Sequence, residues 1–188
     1  MSEKISVLIS SKETEARIKT LADQINQDFA GQSVHLLGIL KGSVFFLCEL
    51  AKHLTIPTTM DFISCHSYQG TTSTGTLTFS KKPEHTLEGR NVILVEDIVD
   101  TGNTLSVLIP MLLETKPACL KLATLLDKPS RRIHPEIKID YLGFTIEDLF
   151  VVGYGLDYDQ QYRSLPFIGI VEQDSEGDKK DSEGDKKS

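Results

Sequence analysis

Apolar residues fall along the chain in two alternating rhythms: short, nearly unbroken runs, and longer stretches in which they recur every three or four positions. Residues 6–10 read as a short strand. Ser10, with Glu13 three positions on, forms a capping-box pattern ahead of Ile18, Leu21, Ala22, Ile25 and Phe29, whose spacing predicts an amphipathic helix ended at Gly31. Residues 34–40 are almost continuously apolar, as in a strand covered on both faces, and Lys41-Gly42-Ser43 interrupts the run before the helix-like residues 44–54. Residues 58–65 read as another strand. The Ser-, Thr- and Gly-rich residues 67–78 then predict a mobile loop, with Gly70 and Gly75 as its flexible points.

The same order repeats downstream. Residues 91–96 form a β-branched run, 97–103 a polar loop with one glycine, and 104–113 a helix-like apolar stretch despite Pro110. Runs at 120–126, 141–144, 151–154 and 167–171 complete the strands. Strands alternating with helices predict an α/β fold, a mostly parallel twisted sheet flanked by helices. Ligands in such sheets bind at the carboxyl ends of the strands, where the loops at 41–43 and 97–103 fall. One catalytic domain is expected over residues 1–173. Residues 174–188 hold DSEGDKK twice in tandem, have no apolar residue, and predict a disordered tail.

Composition narrows the partners. The 188 residues are 39% hydrophobic, enough for one sizeable core, and a net charge of −7 argues against a general nucleic-acid or anionic-membrane surface. An anionic substrate would therefore need local positive potential from lysines, backbone N–H groups or a metal. Cys48, Cys65 and Cys119 have no CxxC spacing and read as small buried hydrophobes; with no apolar leader, a cytoplasmic setting is expected. No apolar stretch approaches a membrane span, and the scattered histidines lack zinc-ligand spacing.

Residues 92–105, VILVEDIVDTGNTL, carry the most chemistry. A turn around Gly102 opening a helix exposes backbone N–H groups, and the hydroxyls of Thr101 and Thr104 add donors, so a phosphate monoester could sit there. Glu96 and Asp97 could hold sugar hydroxyls, directly or through a hard divalent cation. Neither GxxxxGK[ST] nor GxGxxG is present, which lowers the case for a nucleoside triphosphatase or a dinucleotide enzyme. Read without further context, the same pattern also suits a strand end with ordinary helix capping.

The run VEDIVDTGNTL closely resembles the phosphoribosyl-pyrophosphate signature of type I phosphoribosyltransferases. LKGS at 40–43, SYQG at 67–70, DKPSRR at 127–132 and FVVGYGLDYDQQYRSLP at 150–166 resemble the hypoxanthine-guanine branch of that family, in order. The resemblance implies the family's fold, with a small hood region, and transfer of the phosphoribosyl group to N9 of hypoxanthine or guanine with Mg2+. It implies that Leu40, Lys41 and Gly42 form the pyrophosphate loop, often with a cis peptide between the first two. Asp100, Thr101, Gly102, Asn103 and Thr104, following Ile98 and Val99, would cradle the 5′-phosphate. Glu96, Asp97 and Asp157 would be the metal-linked acids and Arg163 the pyrophosphate-side arginine. Lys128 would read the purine 6-oxo group, Phe150 would stack on the base, and the backbone at Val151 and Asp157 would read its remaining edge. Asp100 would be the general base for the N7 proton, and Ser67 and Tyr68 would belong to a lid over the reactants. A homodimer or homotetramer is implied as well. Two rivals stay open: a regulatory protein of the same fold that senses phosphoribosyl pyrophosphate while binding nucleic acid, and an enzyme of the same fold with another acceptor base.

Overall fold

A computed structural model of the chain describes residues 4–67 and 77–172; Tyr68, the expected lid and the tandem-repeat tail lie outside the described residues. The chain runs β1 (Lys4–Ile9), α1 (Ser11–Asp28), β2 (Val34–Ile39), α2 (Val44–His53), β3 (Thr58–Ser67), β4 (Leu77–Lys81), β5 (Asn91–Val99), α3 (Asn103–Leu113), β6 (Cys119–Asp127), β7 (Tyr141–Thr145), β8 (Val151–Val152) and β9 (Ile168–Glu172). The main sheet has six strands in the order β4-β3-β2-β5-β6-β7. Its strands pair in parallel except at the β3–β4 edge, which is antiparallel.

Local sequence accounts for these elements. The Ser10 hydroxyl receives the Glu13 N–H while the Glu13 carboxylate receives the Ser10 N–H, the reciprocal capping box read from the sequence. β2 is buried at every position because apolar layers cover both its faces. On one face Leu36, Ile93 and Val95 pack with Ile18, Leu21 and Ile25 of α1 and Phe46 and Leu47 of α2. On the other, Leu37, Ile39, Ile63 and Leu94 pack with Leu105, Leu108 and Leu112 of α3.

Four expectations need correction. β1 and β9 do not join the parallel sheet; they pair antiparallel with each other and with β8 in a separate three-stranded sheet, the hood. Apolar runs specify strands but not their partners. β5 continues to Val99 instead of ending at Glu96, because β6 keeps pairing with it through Ile98↔Leu126 and Val99↔Asp127. Leu77–Lys81, read at its start as loop, pairs with β3 as an edge strand. The cysteines are not fully buried: Cys48 is exposed on α2, off the face carrying Phe46, Leu47 and Leu50, while Cys65 and Cys119 are half-buried at the margins of the cores. Among the described residues, no helix is long and apolar enough to cross a membrane.

Candidate active site

The carboxyl ends of β2, β5 and β6 and the loops after them converge with the turns that follow β8. After β5, residues Glu96, Ile98, Val99, Asp100, Thr101, Gly102, Asn103 and Thr104 line a single cleft of about 100 Å³ at the start of α3. Gly102 caps α3 with φ +86°, a left-handed backbone that glycine adopts freely, and the one first-turn N–H met by a side chain is that of Asn103, which donates to the Thr101 hydroxyl at 3.4 Å. The N–H groups that follow it at the start of α3 open into this cleft, where helix geometry favours an anion. A larger cleft of about 400 Å³, under α3 between Leu105, Ile109 and Ile137, contains none of the expected site residues.

Glu96 and Asp97 diverge. Neighbouring strand residues point to opposite faces. Glu96 lines the cleft at the start of α3 and its charge reaches Cys65 on β3. Asp97 faces the loop after β2: a Cβ added to Gly42 would overlap its Oδ2 at 1.6 Å. Burial, with Asp97 alongside, pushes the Glu96 carboxyl well above its usual range. Burial likewise lifts Asp97 to about 6, opposed by the Ile98 N–H and by Arg163, with Asp157 adding to the rise. Among the described residues no hydrogen bond reaches the Glu96 carboxylate, and no three carboxylates, imidazoles or thiols gather as a metal cluster. Hard carboxylate oxygens that are desolvated and under-paired suit a divalent cation or sugar hydroxyls.

The residues expected on the pyrophosphate side lie together. The Leu40–Lys41 peptide is cis. Gly155, at φ +104°, backs against this loop so closely that a Cβ there would lie 1.9 Å from the Gly42 carbonyl oxygen. Arg163 donates to the Gly155 carbonyl at 2.7 Å and pairs with Asp157 at 2.7 Å. Gln160, given no role by the sequence, accepts from Lys41 Nζ at 3.3 Å and from Arg163 at 3.2 Å.

The residues expected on the purine side lie just after β6, just before β8 and at its start. Lys128 is only 8% exposed, yet among the described residues its ammonium makes no hydrogen bond, and its one charged neighbour is Asp148 at 3.7 Å. Phe150 is exposed and meets Tyr158 edge-on, with ring centroids 5.4 Å apart. Val151 is buried in the β8–β9 pairing. The Ile146 N–H donates to the Asp127 carbonyl at 2.9 Å and so brings the two segments together. Of the Ser67 and Tyr68 pair, only the Ser67 backbone, at the end of β3, is described.

Sequence reasoning missed the supports of the signature loop. Arg132 pairs with Asp127 and donates through Nε to the Asp100 carbonyl at 3.3 Å. The Lys128 N–H donates to Val99 at 3.0 Å, and the Ile133 N–H to Thr101 at 3.1 Å. Arg131 Nε reaches Asp100 Oδ1 at 3.0 Å. The signal was present in DKPSRR, whose arginines the sequence left without roles.

Residues 8–159 match the model of the phosphoribosyl transferase domain, and the cleft at the start of α3 with two half-buried acids beside it falls within them. The chain is 46% identical over 169 residues to a hypoxanthine-guanine phosphoribosyltransferase of Streptococcus pneumoniae, covering 89% of this chain and 93% of that one. It is 41% identical to a hypoxanthine-guanine-xanthine phosphoribosyltransferase of Tritrichomonas foetus, covering 89% and 91%. A crystal structure of a hypoxanthine-guanine phosphoribosyltransferase from Bacillus anthracis superposes with a TM-score of 0.85 at 43% identity, covering 90% and 99%. The chain belongs to the hypoxanthine-guanine phosphoribosyltransferase family, and it is a transferase.

Proposed function

We propose that this chain transfers the phosphoribosyl group of phosphoribosyl pyrophosphate to N9 of hypoxanthine or guanine, with Mg2+, releasing pyrophosphate. The observation that carries the choice of base is Lys128. The Lys128 side chain is nearly buried while its ammonium has only the 3.7 Å ion pair with Asp148, so it keeps N–H donors for which a ring 6-oxo group beside the exposed face of Phe150 would be an acceptor. An adenine amino group at that position would present a donor to a donor.

The remaining groups take parts consistent with their surroundings. The cleft at the start of α3 receives the 5′-phosphate, whose charge the N–H groups of the Gly102 turn and the Thr101 and Thr104 hydroxyls match. Glu96 faces the ribose side, and Asp97 with Asp157 would hold Mg2+ jointly with substrate oxygens, a ligand set in which one or two carboxylates suffice. Bound there, the cation would neutralise charge growing on the departing pyrophosphate. Lys41 and Arg163 stabilise that same charge where it develops. Asp100 has one carboxylate oxygen on Arg131 and the other without a partner among the described residues, leaving it an acceptor for the N7 proton of the purine.

Substitution of Lys128 tests the reading. Lys128→Ala should raise the KM for hypoxanthine and guanine by about tenfold or more, the scale of one charged hydrogen bond lost in a site, while the KM for phosphoribosyl pyrophosphate stays within about twofold. Equal losses for both substrates would remove Lys128 from the purine side.

A further inference from the structure

Four side chains of alternating charge run across the mouth of the site. Lys128 Nζ lies 3.7 Å from Asp148 Oδ1, Asp148 Oδ2 lies 3.5 Å from Arg131 Nη1, and Arg131 Nε lies 3.0 Å from Asp100 Oδ1. The chain therefore begins at the group proposed to read the purine and ends at the group proposed to take its proton. Its two inner members have had no part in the chemistry so far.

The backbone around Asp100 is already fixed from the same segment. Arg132 holds the Asp100 carbonyl, the Ile133 N–H holds Thr101 and the Lys128 N–H holds Val99. What remains free at Asp100 is rotation of its side chain, and Arg131 is the group that restrains it. Arg131 is itself anchored, because its N–H donates to the Lys128 carbonyl at 3.0 Å in the short 3-10 turn Pro129–Arg131. A guanidinium is a rigid planar fork, so when one nitrogen rests on Asp148 the direction of another toward Asp100 is set as well. Asp148 in turn touches both cations, and so fixes Arg131 and Lys128 relative to each other.

Resting on the phosphoribosyl-transfer reading above, we propose that Arg131 is a positioning residue that aims the Asp100 carboxylate at the purine, and that Asp148 holds Arg131 and Lys128 in register. The 6-oxo group and the N7 proton then meet their partners together. Arg131 and Asp148 are about half exposed, so each link is worth little in folding stability and water competes for it. Its consequence is orientation, which appears in turnover.

The test is steady-state kinetics, with each substrate varied, of the wild-type chain, Arg131→Met, Arg131→Lys, Asp148→Asn and the double variant Arg131→Met/Asp148→Asn. Arg131→Met should lower kcat about two- to fivefold, the kinetic equivalent of one modest ion pair, and leave the KM for phosphoribosyl pyrophosphate within about twofold. Arg131→Lys should restore part of kcat, since a point charge replaces the fork. Asp148→Asn should lower kcat and also raise the purine KM, and the double variant should turn over no more slowly than Arg131→Met, because Asp148 reaches Asp100 only through Arg131. An unchanged kcat in Arg131→Met, or losses that simply multiply in the double variant, would overturn the positioning role while the activity itself stands. A wild-type chain inactive with every base would overturn the functional reading and this proposal with it.

Discussion

Asp61, on β3, is 6% exposed and accepts the Phe62 N–H at 2.6 Å, the Glu84 N–H at 2.5 Å and the Lys81 ammonium at 3.3 Å. Burial pushes its carboxyl up, but the two backbone N–H groups and Lys81 outweigh that and hold it below the usual aspartate value. A folded value below the unfolded one means stabilisation that is present above the unfolded pKa and is lost as pH falls through the folded one. Asp61→Asn keeps one acceptor and turns an amide N–H toward a backbone N–H, so it should cost about 1–3 kcal/mol at pH 7. In thermal melts the gap between the variant and the wild type should close at acid pH; a gap of equal size at pH 7 and pH 3 would contradict the assignment. Residues of this kind were not legible in the sequence. Glu96, Asp97, Asp100 and Thr101 stood in a contiguous run, strand end then glycine turn, and could be read. Asp127, Arg132 and Asp148 act through partners brought near by folding, and a charged residue in a loop has no periodicity to betray its partner.

At the scale of elements, hydrophobic rhythm located α1, α2, α3 and the strands of the parallel sheet well, because each must show an apolar face at its own period. It did not tell where β5 stops, since Asp97 and Ile98 extend a strand only by virtue of β6 beside them. Nor did it show that residues 151–154 are a strand for only two positions, with Gly153, Tyr154 and Gly155 all at positive φ. That left-handed turn presses against the loop after β2, and Arg163 ties it down through both the carbonyl and the N–H of Gly155. A methyl at Gly155 has nowhere to go except into the Gly42 carbonyl. Gly155→Ala should therefore lower the melting temperature by about 5 °C or more, from a cost on the order of 2 kcal/mol. It should also raise the KM for phosphoribosyl pyrophosphate more than that for the purine, because the loop displaced carries Lys41. A purine-selective defect would place the contact on the wrong side of the site.

In the whole molecule, an acidic chain of net charge −7 gathers the candidate site at the carboxyl ends of the sheet's inner strands, with the start of α3 after β5 and the Arg163–Asp157 pair beside the loop after β2. The main sheet carries the cleft at the start of α3 with Glu96 and Asp97, while Phe150, Val151 and Asp157 lie in the segments around β8 of the hood. Metal-assisted transfer to a 6-oxopurine is tested by nucleotide formation from phosphoribosyl pyrophosphate with hypoxanthine, guanine, xanthine and adenine in parallel, with Mg2+ and with a chelator. Product is expected with hypoxanthine or guanine, none with adenine, and its loss is expected on chelation. Product with adenine, or undiminished turnover without divalent cation, would contradict it.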